Sequence, residues 1–116
     1  MAALDVLVFY VPVGDTDTVL AALFAAGAGR MGDYDQCAFV LEGRGQFRPL
    51  PGADPTIGEV GRVEHVRENR VELTFPRVIR DVVVSALRTA HPYEEPAFHV
   101  LENVASVDRR CALPGH

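Results

Sequence analysis

Residues 70–90 read RVELTFPRVIRDVVVSALRTA, and a change of period inside this stretch decides the fold. Arg70, Glu72 and Thr74 alternate with Val71, Leu73 and Phe75, the two-residue repeat of an antiparallel strand with one face buried. Beyond Pro76, the residues Ile79, Val82, Val83, Ala86, Leu87 and Ala90 recur at helical spacing, the one-sided stripe of an amphipathic helix. Pro76 is tolerated in a first helical turn. Pro92 ends the helix, because the residue before a proline is pushed out of the α region. A half-buried strand feeding directly into a helix is one half of an α+β sandwich.

The N-terminal half predicts the same pairing. Leu4 to Val13 (LDVLVFYVPV) is a nearly continuous β-branched and aromatic run, the pattern of a central strand. Gly14-Asp15-Thr16-Asp17 supplies helix N-cap chemistry. Val19, Ala22, Leu23 and Ala26 then mark a helix that Gly27 and Gly29 stop. Gln36 to Glu42 (QCAFVLE) reads as the next strand, with Gly43-Arg44-Gly45 as a turn and Gln46 to Leu50 as a short return. Pro49, Pro51, Gly52, Pro55, Gly58 and Gly61 then punctuate a loop. Arg62 to Phe75 is extended, with a bend expected near Glu68-Asn69, and Ala97 to Val104 forms the last strand. The predicted order is that of a ferredoxin-like βαββαβ sandwich, an antiparallel sheet with two helices on one face. Residues 1–105 make one domain, and 106–116 are expected to trail as a mobile tail.

Composition narrows the functional classes. The chain has 116 residues, is 48% hydrophobic and carries a formal charge of −5. It can therefore bury a core, and it lacks the basic surface that a nucleic-acid partner requires. Val19 to Ala28, the longest helical apolar stretch, is too short to span a membrane. The first residues lack the basic flank of a signal peptide. Its two cysteines, Cys37 and Cys111, form no C-x-x-C pair. A cytoplasmic setting is expected. With both helices on one side, the opposite sheet face is left to meet another subunit, which predicts a homo-oligomer.

The densest chemistry is His91-Pro92-Tyr93-Glu94-Glu95-Pro96. Imidazole and carboxylates together suit a divalent cation, so His91 and Glu94 are candidate metal ligands. The same six residues also read as a rigid helix-to-strand turn, and that reading is favoured because a metal usually needs three or four convergent ligands. No H-x-x-x-H or H-E-x-x-H spacing accompanies them among the four histidines. Gly43-Arg44-Gly45-Gln46-Phe47-Arg48-Pro49 lacks the lysine and following helix of a phosphate loop, although Arg44 and Arg48 remain available to an anion. Cys37, Ser85 and Ser106 have no partner spacing for nucleophilic catalysis.

Several ordered stretches resemble one family: Gly32-Asp33-Tyr34-Asp35-Gln36-Cys37, Gly43-x-Gly45-x-Phe47-Arg48-Pro49, Gly52-Ala53-Asp54-Pro55-x-x-Gly58-x-x-Gly61, Glu64-x-Val66-x-Glu68-x-Arg70-x-Glu72 and the His91–Pro96 element. Over about residues 4–104 the chain resembles the domain inserted in the middle of Nif-three-like proteins, the dinuclear-metal-centre hexameric family, itself similar to CutA and PII proteins. The resemblance implies a CutA/PII-like ferredoxin fold and trimer-forming subunits. The family's paired metals belong to a flanking domain whose motifs are missing here, so neither that centre nor a hydrolase activity is carried over, and no cofactor is required. The expectation is a non-enzymatic, trimeric binding or regulatory module, with a small-molecule or anion site at subunit clefts lined by Tyr34, Arg48, His91, Tyr93, Glu94 and Glu95. The alternatives are a CutA-like divalent-metal protein using His91 and Glu94, and a purely structural assembly module.

Overall fold

A computed structural model describes residues 3–106. Four strands, β1 (Leu4–Pro12), β2 (Phe39–Phe47), β3 (Glu64–Pro76) and β4 (Phe98–Leu101), alternate with two helices, α1 (Thr16–Ala25) and α2 (Arg80–Ala90). The sheet runs β2-β3-β1-β4 with every neighbouring pair antiparallel. This is the expected ferredoxin-like α+β sandwich. The tail expected at 106–116 lies, beyond Ser106, outside the described residues.

Register explains the core. Leu7, Phe9 and Val11 of β1 pair with Leu73, Val71 and Asn69 of β3, so these side chains share one face. Against that face pack Val19 and Leu23 of α1 with Val83 and Leu87 of α2, all fully buried. The six-residue stripe read from residues 79–90 splits as the geometry requires: Val83 and Leu87 are buried, Ile79, Ala86 and Ala90 pack beside them, and Val82 faces solvent. α1 closes in a Schellman arrangement. The Gly27 N–H donates to the Phe24 carbonyl at 3.1 Å and the Ala28 N–H to the Leu23 carbonyl at 3.0 Å, with Gly27 at φ +105°. A left-handed residue is needed there, which is why glycine stops this helix.

Four local expectations are corrected. β2 runs straight through Gly43-Arg44-Gly45, paired residue by residue with β3, so there is no turn and no short return strand. β3 shows no break at Glu68-Asn69, because both sides of it are held there by β1 and β2. β4 stops at Leu101, followed by a 3₁₀ turn, Val104–Ser106. The start of α1 has no side-chain cap from Asp15. Instead the buried Thr16 hydroxyl donates to the Pro12 carbonyl at 3.3 Å and accepts from Asn69 Nδ2 at 2.9 Å, tying α1 to β3.

One ion pair anchors the opposite end of β1. The buried Asp5 carboxylate accepts from Arg77 Nε at 2.8 Å and Nη2 at 2.7 Å, and from the Asn103 N–H at 3.2 Å. These bonds join β1 to the chain on both sides of α2. Hydrogen bonding to Arg77 outweighs burial and holds the Asp5 carboxyl below its ordinary 3.8. A carboxylate whose folded value is depressed adds stability above its unfolded value and loses it as pH falls through the folded one. Asp5→Asn is expected to lower Tm at pH 7, with the gap from the parent closing as pH falls below the ordinary carboxylate value of 3.8. Thermal melts at falling pH check it; a gap independent of pH would show the pair contributes nothing through its charge.

Candidate functional site

Strand geometry concentrates polar and aromatic groups at one end of the sheet. Tyr10 near the end of β1, Phe47 at the end of β2 and Glu68 of β3 all project from the face opposite the helices, as their register requires. The loop after β2 and the turn after α2 fold across this end. Together they enclose a cavity of about 460 Å³, lined by Tyr10, Gly45, Phe47, Arg48, Pro49, Leu50, Ala53, Pro55, Thr56, Ile57, Glu68, Tyr93, Glu94, Glu95 and Ala97.

The turn at His91–Pro96 is built as a hinge post. Pro92 forces His91 into extended geometry at φ −71°, ψ 137°, which ends α2. The His91 ring is buried. The Tyr93 N–H donates to its Nδ1 at 3.1 Å, which assigns the ring proton to Nε2, and Nε2 donates to the Tyr10 carbonyl at 2.6 Å. Two bonds then latch this turn to the loop: the Thr56 hydroxyl donates to the Pro92 carbonyl at 2.7 Å, and the Asp54 N–H to Glu94 Oε1 at 3.3 Å. Thr56→Val removes the stronger latch, at a cost of about 1 kcal/mol. Faster hydrogen exchange at the loop amides of Ala53 and Gly61, bonded to the Leu50 and Pro49 carbonyls, is the expected readout, with the β1 amides unchanged.

Tyr93 stands against Phe47 edge to face, ring centres 5.7 Å apart at 62°. Its hydroxyl is buried beside the Glu68 carboxylate, outside ordinary hydrogen-bond geometry. Burial first, and the Glu68 carboxylate second, push that hydroxyl above its ordinary 10.0. Glu68 in turn lies over Gly45: a Cβ there would come within 1.7 Å of Glu68 Oε1. Glycine at this point of β2 is thus what lets the carboxylate lie flat across the strand.

Of the six predicted site residues, Arg48, Tyr93, Glu94 and Glu95 line the cavity, and His91 supports it from below. Tyr34 does not join them within one protomer. It is 75% exposed and pairs with Met31 in a small bridge. Its segment hangs from Gly29, bonded to Thr74 at the far end of β3. Both imidazole nitrogens of His91 are engaged by the backbone, Glu94 serves the loop latch, and no group of three or more metal-ligating side chains converges among the described residues. Glu68, Tyr10 and Phe47 were not anticipated as site residues. The strict alternation of Glu64, Val66, Glu68, Arg70 and Glu72 was the available signal, and it places Glu68 on the same side as Tyr10.

Comparison with known proteins agrees with this fold. The chain is 49% identical over 100 residues to a Mycobacterium leprae protein named GTP cyclohydrolase 1 type 2 homolog, covering 86% of this chain and 26% of that one. A Bacillus cereus protein related to NIF3 superposes with a TM-score of 0.76 at 38% identity, over 89% of this chain and 26% of that chain. The periplasmic divalent cation tolerance protein CutA from Archaeoglobus fulgidus superposes with a TM-score of 0.64 at 11% identity, over 91% of this chain and 89% of that chain. No protein-family model matches the chain. The fold is of the ferredoxin-like α+β class, with CutA among its structural neighbours. More particularly, the chain is a homologue of one segment of the NIF3-related proteins, and it spans about a quarter of the length of the curated relatives it matches.

Proposed function

We propose that this chain is a non-enzymatic binding module that assembles into a homotrimer through its helix-free sheet face and takes a small ligand in the cavity at one end of that face. The carrying observation is the face itself. Register puts Val6, Val8 and Tyr10 of β1, His99 and Leu101 of β4, and Phe39 and Leu41 of β2 on the side away from α1 and α2. Phe39, Leu41 and Leu101 are 60%, 57% and 52% exposed. Exposed apolar side chains on the two edge strands, flanking Glu68, Arg70 and Glu72 of β3 on the same face, are surface that a second subunit can bury.

The cavity opens on the same face, so a neighbouring subunit would sit at its rim, and a ligand bound there would report to the assembly. The cavity lining carries carboxylates, one guanidinium and aromatic rings, groups that bind and orient a small molecule. Among the described residues no helix is long and apolar enough to cross a membrane, and a cytoplasmic setting is part of the proposal. Native mass spectrometry tests it. The expected dominant species has three times the 12.6 kDa chain mass; a spectrum dominated by the single chain would remove the basis for assembly.

A further inference from the structure

We propose that the cavity takes a small organic ammonium ion with an apolar body, an assignment that rests on reading the cavity as a ligand site. The walls carry the first part. Tyr10, Phe47 and Tyr93 supply aromatic rings, and Leu50 and Ile57 close the loop side. Aromatic faces are the negative side of a quadrupole, so they attract a cation and disfavour an anion. A volume of about 460 Å³ suits a ligand with a hydrocarbon body, since small-molecule sites run from about 300 to 1,000 Å³.

The charges carry the second part. Glu68, Glu94 and Glu95 line the cavity against a single cation, Arg48. Glu94 is occupied by the Asp54 N–H. Glu68 is half-buried and enters no ion pair among the described residues. Its carboxylate lies between the β2 backbone at Gly45 and the buried Tyr93 hydroxyl, a neutral neighbour that leaves its charge uncompensated. A partly desolvated carboxylate without a counter-ion is costly, and an arriving cation removes that cost. A divalent metal fits less well: it needs six or more oxygens or retained waters, whereas these walls are mostly apolar and no ligand cluster converges among the described residues. An ammonium group on Glu68 with its carbon body against Phe47 and Tyr93 satisfies charge and surface together.

The chain offers its own reporter. It has no tryptophan and three tyrosines, of which Tyr10 and Tyr93 line the cavity. Tyrosine emission and calorimetry are followed while the full chain is titrated with cyclohexylmethylammonium, and separately with its neutral counterpart, cyclohexylmethanol. Saturable binding of the ammonium, at least tenfold tighter than the alcohol, is expected. Glu68→Gln should erase that difference and leave the alcohol's affinity unchanged. Gly45→Ala, which drives the carboxylate aside without removing it, should act in the same direction. Equal affinity for both compounds, or an undiminished preference in both variants, overturns the ammonium assignment while the cavity survives as a ligand site. Displacement of the bound ammonium by stoichiometric manganese ion overturns it in favour of a metal. Silence from both compounds, with tyrosine emission unchanged, removes the cavity reading as well.

Discussion

Phe9→Ala is expected to destabilise the chain by about 3–5 kcal/mol, the usual cost of emptying a large aromatic site from a packed interior. Phe9 and Phe75 are the bulkiest fully buried side chains, both at 0% exposure, and Phe9 sits in the middle of β1. β1 is bonded to β3 on one side and β4 on the other, so its backbone has little freedom to collapse into the space left behind. Val71 lies opposite it on β3, and the helical Leu23 and Leu87 belong to the same buried cluster. Urea unfolding of parent and variant measures the loss. A change below about 1 kcal/mol, within the range of a surface substitution, would mean the core described here is not the one the chain uses.

Leu41→Arg combined with Leu101→Arg is expected to weaken self-association about 100-fold or more. Each leucine is more than half exposed on the helix-free face, on opposite flanks of it. Burying one such side chain contributes about 1.5–3 kcal/mol, and tenfold in affinity corresponds to about 1.4 kcal/mol. An arginine in its place adds the cost of desolvating a charge. Neither leucine belongs to the core, so the folded protomer should keep the parent's far-ultraviolet spectrum. Light scattering after size exclusion separates the outcomes: protomer mass with native secondary structure is expected, and an unchanged assembly would place the contact elsewhere.

Periodicity carried most of the architecture. The alternation at 70–75 and the helical stripe at 79–90 predicted β3 and α2 because each element has one buried side, and burial writes a period into the sequence. The stop at Pro92 followed from local sterics alone. β2 was harder to read. Gly43 and Gly45 look like turn residues by composition, yet Gly45 is small because Glu68 lies across it. That contact joins residues far apart in sequence and leaves no local trace. The same cause hid the cap of α1, where Thr16 turns to Asn69 on another strand in place of the helix's own amides.

The candidate site was legible where its residues cluster along the chain and illegible where the fold brings them together. His91–Pro96 is a dense run of six residues, and it does border the cavity. Glu68 and Tyr10 reach the same place through strand register. A bend expected at Glu68-Asn69 obscured the phase that puts Glu68 on the open face. Tyr34 shows the converse: it belongs to a recognisable motif, but its segment is tethered to the other end of β3. The imidazole of His91, read as a possible ligand, spends both nitrogens on holding the turn against β1.

Sedimentation equilibrium of the unmodified chain, from 1 to 100 µM, bears most directly on the claim that the bare sheet face docks onto copies of itself. A single species of trimer mass across that range is the predicted result. A monodisperse protomer at every concentration would contradict the account.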